Sequence, residues 1–490
     1  MGVVALTLLF FANIYVTRSE SHVSHVEWIE KPTKEIKSCL SPDLEHEEQL
    51  ACRFFAAVID AGSTGSRLHL FEFSHDPTVE HSPFKLESET FRQSNPGLSS
   101  YAADPSKAAE SIKHLIDQAR PKIPKELWSH TPIVVKATAG LRLLPADESD
   151  RILYEVEAEV LRSGLLTEDE SVGILSGIDE GVFGWFTLNF LTDRLQHLQG
   201  NVEKSAVALD LGGGSTQVTF APTNPSVAFT ADAPEDDFGH QLEVFGKKIR
   251  LYTHSYLGNG LIAARLGMSR LKSKEEESDL SVDCFPNGYV LKNWEYSGRN
   301  WTLCGTSRRS FQSCQNLADQ YVKKTNVRPV ANLIKNRDIY VFAYFFDRAE
   351  QAGLTSGADQ KGQWIKVGDY KKAAEKFCKM DQNEWGKEHW RPFQCMDLSY
   401  IYSLLTTGYG LTDETKIHVS KKIKSMEVSW ALGAGFHLLN TYHENSKQPH
   451  ASYATLKTDN STQNETYVQR VYTYLSEKAT ELLVVLRLIS

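Results

Sequence analysis

Ala206-Val-Ala-Leu-Asp-Leu-Gly-Gly-Gly-Ser-Thr-Gln-Val-Thr-Phe220 is the stretch from which the rest of the chain can be read. Residues 206–209 are an apolar run that reads as a buried strand and delivers Asp210 to its end. Gly212, Gly213 and Gly214 then make a turn that residues with a Cβ tolerate poorly. Ser215, Thr216 and Gln217 follow, and Thr216–Phe220 returns as a β-branched and aromatic strand. Such a hairpin lines a concavity with bare backbone N–H groups and sets a carboxylate at its lip, which suits a phosphate chain and its metal ion. Standing alone, it has a bland alternative as a glycine-rich hairpin without chemistry, because glycine loops are weak motifs.

A second copy changes that balance. Phe54-Phe-Ala-Ala-Val-Ile-Asp-Ala-Gly-Ser-Thr-Gly-Ser-Arg-Leu-His-Leu-Phe-Glu-Phe73 repeats the plan, with Asp60, Gly62 and Gly65 among hydroxyls, and Arg67–Phe73 as the return strand. The two aspartates are 210 − 60 = 150 residues apart, about one domain length. Two half-similar lobes, each offering an Asp-Gly hairpin to a shared cleft, resemble the actin/hexokinase-like (ribonuclease H-like) fold. That fold is α/β and two-lobed, with its active site in the interlobe cleft. Residues 51–175 are expected to form lobe I, completed by about 428–442, and residues 176–427 lobe II. Residues 1–19 read as a signal peptide or short anchor, 20–50 as a linker and 443–490 as a polar C-terminal tail.

Composition bounds the function. The chain has 490 residues, 41% hydrophobic and 23% charged, as in ordinary globular proteins. Its net charge of −9 argues against a nucleic-acid coat, so an anionic substrate must be held locally by amides, a metal and a few cations. Met1–Val16 is almost wholly apolar and ends at Arg18 and Glu20. It falls short of the roughly 20 residues that span a bilayer. Its length favours a signal peptide over a short anchor or a buried strand, although no basic residue precedes the apolar core. The apolar tip Leu482–Ile489 is interrupted by Arg487 and also too short to span.

Seven cysteines are present, at 39, 52, 284, 304, 314, 378 and 395, none in a Cys-x-x-Cys pair. A structural zinc site is therefore disfavoured. With an export signal, disulfides are favoured, and the odd count leaves at least one thiol unpaired or bonded to another chain. Glycosylation sequons stand at Asn300, Asn460 and Asn464.

Between and beyond the hairpins, Lys107–Arg120 and Ser149–Arg162 show helical periodicity, and Pro121 closes the first. Ile133–Thr138 reads as a strand running into Thr138-Ala-Gly-Leu-Arg142. That junction either holds a phosphate oxygen or simply turns the chain. A short strand from Gly173 leads to a helix through Leu191, with Asp179 and Glu180 at its start. Acidic residues there serve as caps, or Glu180 is the base for an attacking water. His254 and its flanking tyrosines read as packing, and Lys272–Asp283 as a charged surface loop. The aromatic run Asp338–Asp347 is mostly core, with one ring available as a nucleobase platform. Met396–Leu405 reads as a helix followed by Gly408-Tyr-Gly410, and Val428–His437 as the start of a closing helix.

Five ordered motifs carry a closer resemblance: Asp60–Arg67, Lys136–Arg142, Ser176–Trp185, Asp210–Gln217 and Trp430–Gly435. Over about residues 54–440 the chain resembles the ecto-apyrases, or nucleoside triphosphate diphosphohydrolases. Lys136–Pro145, Leu251–Leu257 and Cys395–Tyr400 look most like the soluble luminal nucleoside-diphosphatase subgroup. The resemblance implies metal-dependent hydrolysis of the terminal phosphate of UDP, GDP or IDP, and less of triphosphates, in the endoplasmic reticulum or Golgi lumen or after secretion. By it, Glu180 is the general base, and Ser215 and Gln217 place the water and the metal's hydration shell. Asp60 and Asp210 face Ca2+ or Mg2+, mostly through waters. Amides of Gly62–Gly65 and Gly212–Gly214, the hydroxyls of Ser63, Thr64 and Thr138, and the cations Arg67 and Arg142 hold the phosphates. Phe346 stands where relatives have a base-stacking tyrosine, and Thr407 where cell-surface members have an arginine. The late disulfides map onto Cys284–Cys314 and Cys378–Cys395, leaving Cys39, Cys52 and Cys304 unassigned. The competing readings are a broad apyrase, a sugar or acid kinase of the same superfold, and a non-enzymatic nucleotide-binding scaffold.

Overall fold

A computed structural model describes residues 23–26, 53–74, 85–195, 198, 201–231, 233–244, 247–274, 276–296, 298–356 and 362–445. The apolar N-terminal run, Cys39, Cys52, Asn460, Asn464 and the tip 482–489 lie outside the described residues.

After a short strand at Val23–Val26 (β1), the apolar run Arg53–Ala61 (β2) forms the centre of a first sheet. It is antiparallel to its return strand Ser66–Ser74 (β3), which pairs with Lys85–Ser94 (β4). On its other side β2 runs parallel to Ile133–Ala137 (β5), and β5 to Val172–Ile174 (β6). A second sheet repeats the plan around Val207–Leu211 (β7) and its return strand Ser215–Phe220 (β8). Gly239–Val244 (β9) and Lys247–Leu257 (β10) extend it beyond β8, with β1 parallel on β9 at the edge. On the far side β7 is parallel to Ile339–Ala343 (β14), which is parallel to Lys416–Val419 (β16), and Gln363–Lys366 (β15) closes that edge. The core orders β4-β3-β2-β5-β6 and β10-β8-β7-β14-β16 have the same alternation of directions. The duplication read from the two Asp-Gly hairpins is therefore present in the sheets themselves.

Burial explains why these runs become strands. One face of β2 (Phe55, Ala57, Ile59, Ala61) joins Leu68, Leu70, Ile112, Leu115, Ile116, Ile152 and Val156 in one core. The last five of these come from helices Pro105–Ala119 and Ala146–Leu161. Each such side chain contributes about 1.5–3 kcal/mol on burial. Helices Gly177–Leu191 and Trp430–Asn445 pack on each other, the first against β7, β8 and β10, the second against β2 and β3. The first of them is buried nearly all round, as a helix with apolar residues on every side must be. Its neighbour approaches closely at Gly433, where a Cβ would meet the Phe183 carbonyl oxygen at 2.6 Å. Asn189 on that helix accepts the Ala206 N–H at 2.7 Å, and the Trp185 indole donates to the Ala206 carbonyl at 3.0 Å. These bonds pin the start of β7 and so fix where Asp210 emerges.

In the second lobe, the disulfide Cys378–Cys395 ties helix Val367–Lys379 to helix Gln394–Ser403, and Cys284–Cys314 ties helix Phe311–Lys324 to the turn at Cys284. Cys304 is half-buried and has no disulfide partner among the described residues. The charged loop expected over Lys272–Asp283 ends instead in a strand, Asp279–Val282 (β11), because Leu280 and Val282 alternate into the core. Among the described residues, no helix is long and apolar enough to cross a membrane.

Candidate active site

The two hairpins meet. A Cβ on Gly213 would fall on the Ser63 hydroxyl, with the Thr64 methyl 3.5 Å away, so with the Ser63 side chain as it stands the approach leaves no room for one. Each turn is closed by its first glycine: the Gly62 N–H donates to Gly65 O at 3.0 Å and the Gly212 N–H to Ser215 O at 3.0 Å. Those two amides, expected on the phosphates, are thus already committed. The carbonyls of Gly212, Gly213 and Gly214 accept from Leu261, from Ile262 and Ala263, and from Gly258, at 2.8–3.0 Å. A trans peptide points its N–H opposite to its C=O, so the N–H groups of Gly213, Gly214 and Ser215 face away from the start of helix Leu261–Ser269.

The acidic pair at the start of helix Gly177–Leu191 divides its work. Asp179 caps: its N–H donates to Ser176 Oγ at 3.0 Å, and the Ser176 hydroxyl donates to Asp179 Oδ2 at 2.7 Å. Glu180 does not. It is 7% exposed, and its Oε2 accepts from Arg142 and, at 2.9 Å, from Gln217 Nε2. Burial, with the nearby Asp60 charge adding and Arg142 opposing, raises its pKa from 4.5 to about 7. That value matches a general base working near neutrality.

Ser215 and Gln217 are buried beside it, with Gln217 Nε2 2.8 Å from Ser215 Oγ. Asp210 and Gln217 are register partners across the β7–β8 hairpin, as Asp60 and Arg67 are across β2–β3. Both aspartates have pKa values raised above the ordinary aspartate range, burial being the main cause; Glu180 and Asp60 add to the effect at Asp210. Oδ1 of each is buried without a protein partner. Thr138 is buried at the end of β5, its N–H bonded to Ala61 O at 3.2 Å.

Three expectations change. Arg67 and Arg142, expected on the phosphates, each turn to a carboxylate instead: Arg67 lies 3.5 Å from Asp60, and Arg142 pairs with Glu180. A buried carboxylate draws the nearest cation, because an uncompensated charge there is costly. Phe346, expected as the base platform, is 1% exposed and belongs to the second lobe's core, so it presents no face to a ligand. The ring brought to the cleft is Tyr344, whose hydroxyl lies 3.5 Å from Thr64 Oγ1. Tyr344 follows β14 as Thr138 follows β5, so the two hold equivalent places in the duplicated plan. Arg348 stands 5.5 Å from the ring centre and is itself ion-paired with the buried Asp397 at 3.4 Å. Thr407 donates to Asp319 at 2.7 Å. A residue to which the sequence assigned no role, although it lies within Leu251–Leu257, also joins the site: Ser255 Oγ lies 3.0 Å from Gln217 Nε2.

The chain belongs to the GDA1/CD39 (nucleoside phosphatase) family, whose model matches residues 46–451. It is 45% identical over 407 residues to nucleoside-diphosphatase uda-1 of Caenorhabditis elegans, covering 80% of this chain and 84% of that one. To the human nucleoside diphosphate phosphatase ENTPD5 it is 35% identical over 398 residues, covering 80% and 89%. A crystal structure of a nucleoside triphosphate hydrolase from Neospora caninum shares the fold, with a TM-score of 0.53 at 12% identity over 81% of this chain and 94% of that one.

Proposed function

We propose that this enzyme hydrolyses the terminal phosphoanhydride of nucleoside diphosphates such as UDP, GDP and IDP, and triphosphates less well, releasing the nucleoside monophosphate and phosphate. The observation that carries this reading is Glu180: buried, unused by the helix cap, titrating near 7 and bonded to Gln217 where the two hairpins meet. In the reaction, Glu180 takes a proton from a water whose oxygen bonds to the terminal phosphorus as the bridging P–O bond breaks. Amides of Ser63, Thr64, Gly213 and Gly214 and the hydroxyls of Ser63, Thr64 and Thr138 hold the phosphate oxygens, while Arg67 and Arg142 balance the carboxylates of Asp60 and Glu180. Tyr344 takes the nucleoside-side contact in place of Phe346.

The residues fit a divalent cation, Ca2+ or Mg2+. Asp60 and Asp210 each keep one buried oxygen without a partner, and with Glu180 they make three mutually repelling carboxylates. Hard oxygen donors of this kind suit either ion, and when bound it neutralises phosphate oxygens. The two disulfides fit an oxidising compartment, so the lumen of the secretory pathway is the proposed location. The test is phosphate release across a nucleotide panel with calcium, magnesium and chelator, without an acceptor alcohol. Release of phosphate from diphosphates only with metal is the expected result; turnover that needs an acceptor would instead make the chain a kinase.

A further inference from the structure

Gln217 has more acceptors around its amide nitrogen than it has hydrogens to give. Nε2 lies 2.9 Å from Glu180 Oε2, 2.8 Å from Ser215 Oγ and 3.0 Å from Ser255 Oγ, and a primary amide carries two N–H bonds. Oε1 is buried and has no protein partner. Ser255 sits on β10 opposite Gln217 in antiparallel register. Its place is made by Gly177 at the start of the Glu180 helix: a Cβ there would fall on the Ser255 side chain and 2.6 Å from Arg142 Nη1. The Ser255 side chain is thus wedged between that helix and the amide.

We propose that Ser255 is a positioning residue for the attacking water and acts through Gln217, an inference that rests on the hydrolase reading above. A water that gives one hydrogen to Glu180 needs an acceptor for its other hydrogen if a lone pair is to aim at phosphorus. Gln217 Oε1 is that acceptor. Rotated by half a turn, the same amide offers N–H groups, which cannot receive a water's hydrogen. Glu180 alone holds the amide in the useful sense only while it is charged, and its pull on Nε2 weakens as it takes the proton. Ser215 and Ser255 are neutral acceptors whose hold does not fade during the step. Two hydroxyls on adjacent strands, both within hydrogen-bond reach of Nε2, keep the amide oriented through proton transfer.

The test is a double-mutant cycle of Ser255→Ala and Gln217→Ala in the full chain, followed by steady-state phosphate release from a nucleoside diphosphate with metal. Ser255→Ala should lower kcat by about five- to tenfold, the weight of one neutral hydrogen bond, with KM little changed. In the Gln217→Ala background the same substitution should cost nothing further, because its route of action is gone. A kcat unchanged by Ser255→Ala, or a loss that is undiminished when Gln217 is already Ala, overturns the proposal; a merely structural serine would give the second result. A wild-type enzyme that releases no phosphate from any diphosphate would sink the hydrolase reading and take this inference with it.

Discussion

Glu180→Gln should make the protein slower and, in alkaline solution, more stable. The rate is expected to fall by about 10²–10⁴ with nucleotide affinity largely kept. The stability effect follows from the raised pKa, 4.5 to about 7. A carboxyl whose folded value exceeds its unfolded value favours the fold in its protonated form. Its contribution is complete below pH 4.5, declines through the interval and is lost above about 7. At roughly 1.4 kcal/mol per pH unit, the ionised side chain costs the metal-free fold about 3 kcal/mol at pH 8 relative to pH 4.5. The Arg142 attraction is already inside that figure, since it is one of the causes of the shift. Glutamine keeps the shape and does not titrate. Unfolding of both proteins by heat or urea, with chelator, at pH 5 and pH 8 measures the difference. The variant should gain on the wild type as pH rises. A variant that loses ground at pH 8, or keeps more than a tenth of the wild-type rate, would return Glu180 to the role of a structural ion-pair partner.

Gly213→Val places branches where Ser63 and Thr64 now approach; affinity for a non-hydrolysable diphosphate measured by calorimetry should fall about tenfold or more, while the unfolding midpoint barely moves. Outright unfolding would mean that the glycines serve the backbone alone. Tyr344→Ala should raise KM for nucleotide without loss of stability, whereas Phe346→Ala should destabilise the fold by about 3–5 kcal/mol and leave KM alone; the reverse pattern would restore Phe346 as the platform. Replacing Cys378 and Cys395 by serine should cost about 3 kcal/mol in the chain-entropy picture, read by denaturant unfolding, and non-reducing peptide mapping of secreted protein should recover both bridges, with free thiols at Cys378 and Cys395 contradicting the luminal location.

What was legible in the chain, and what was not, follows from the range of each interaction. Both hairpins announce themselves because an aspartate, its glycines and the return strand are contiguous, and the repeat of that unit implies two sheets of one plan. The aromatic run misleads for a local reason. Strand β14 ends at Ala343, and helix Tyr344–Gln351 begins at once, so the period changes from two to 3.6 within one residue. Ala343 makes the change with φ at +56°, a conformation that costs a non-glycine residue about 1–3 kcal/mol and that alanine does not advertise. The bend brings Tyr344 to Thr64 and sends Phe346 into the core. Ser255 has no motif because its contact with Gln217 joins positions 38 apart in sequence.

Asp179 and Glu180 show the limit most sharply. Neighbouring carboxylates at one helix start are interchangeable by composition, and either fits the capping rule. Successive residues on a helix differ by about 100° in direction, so only one of them can reach back to Ser176. Once Asp179 has taken the cap, Glu180 is turned toward β8 and the Arg142 turn, where no backbone donor is spent on it. The cap thereby aims Glu180 as well as starting the helix. A first turn that was not fixed by Ser176 would leave Glu180 held by Arg142 and Gln217 alone, with no help from its own backbone in keeping the bond on which the proposed water seat depends.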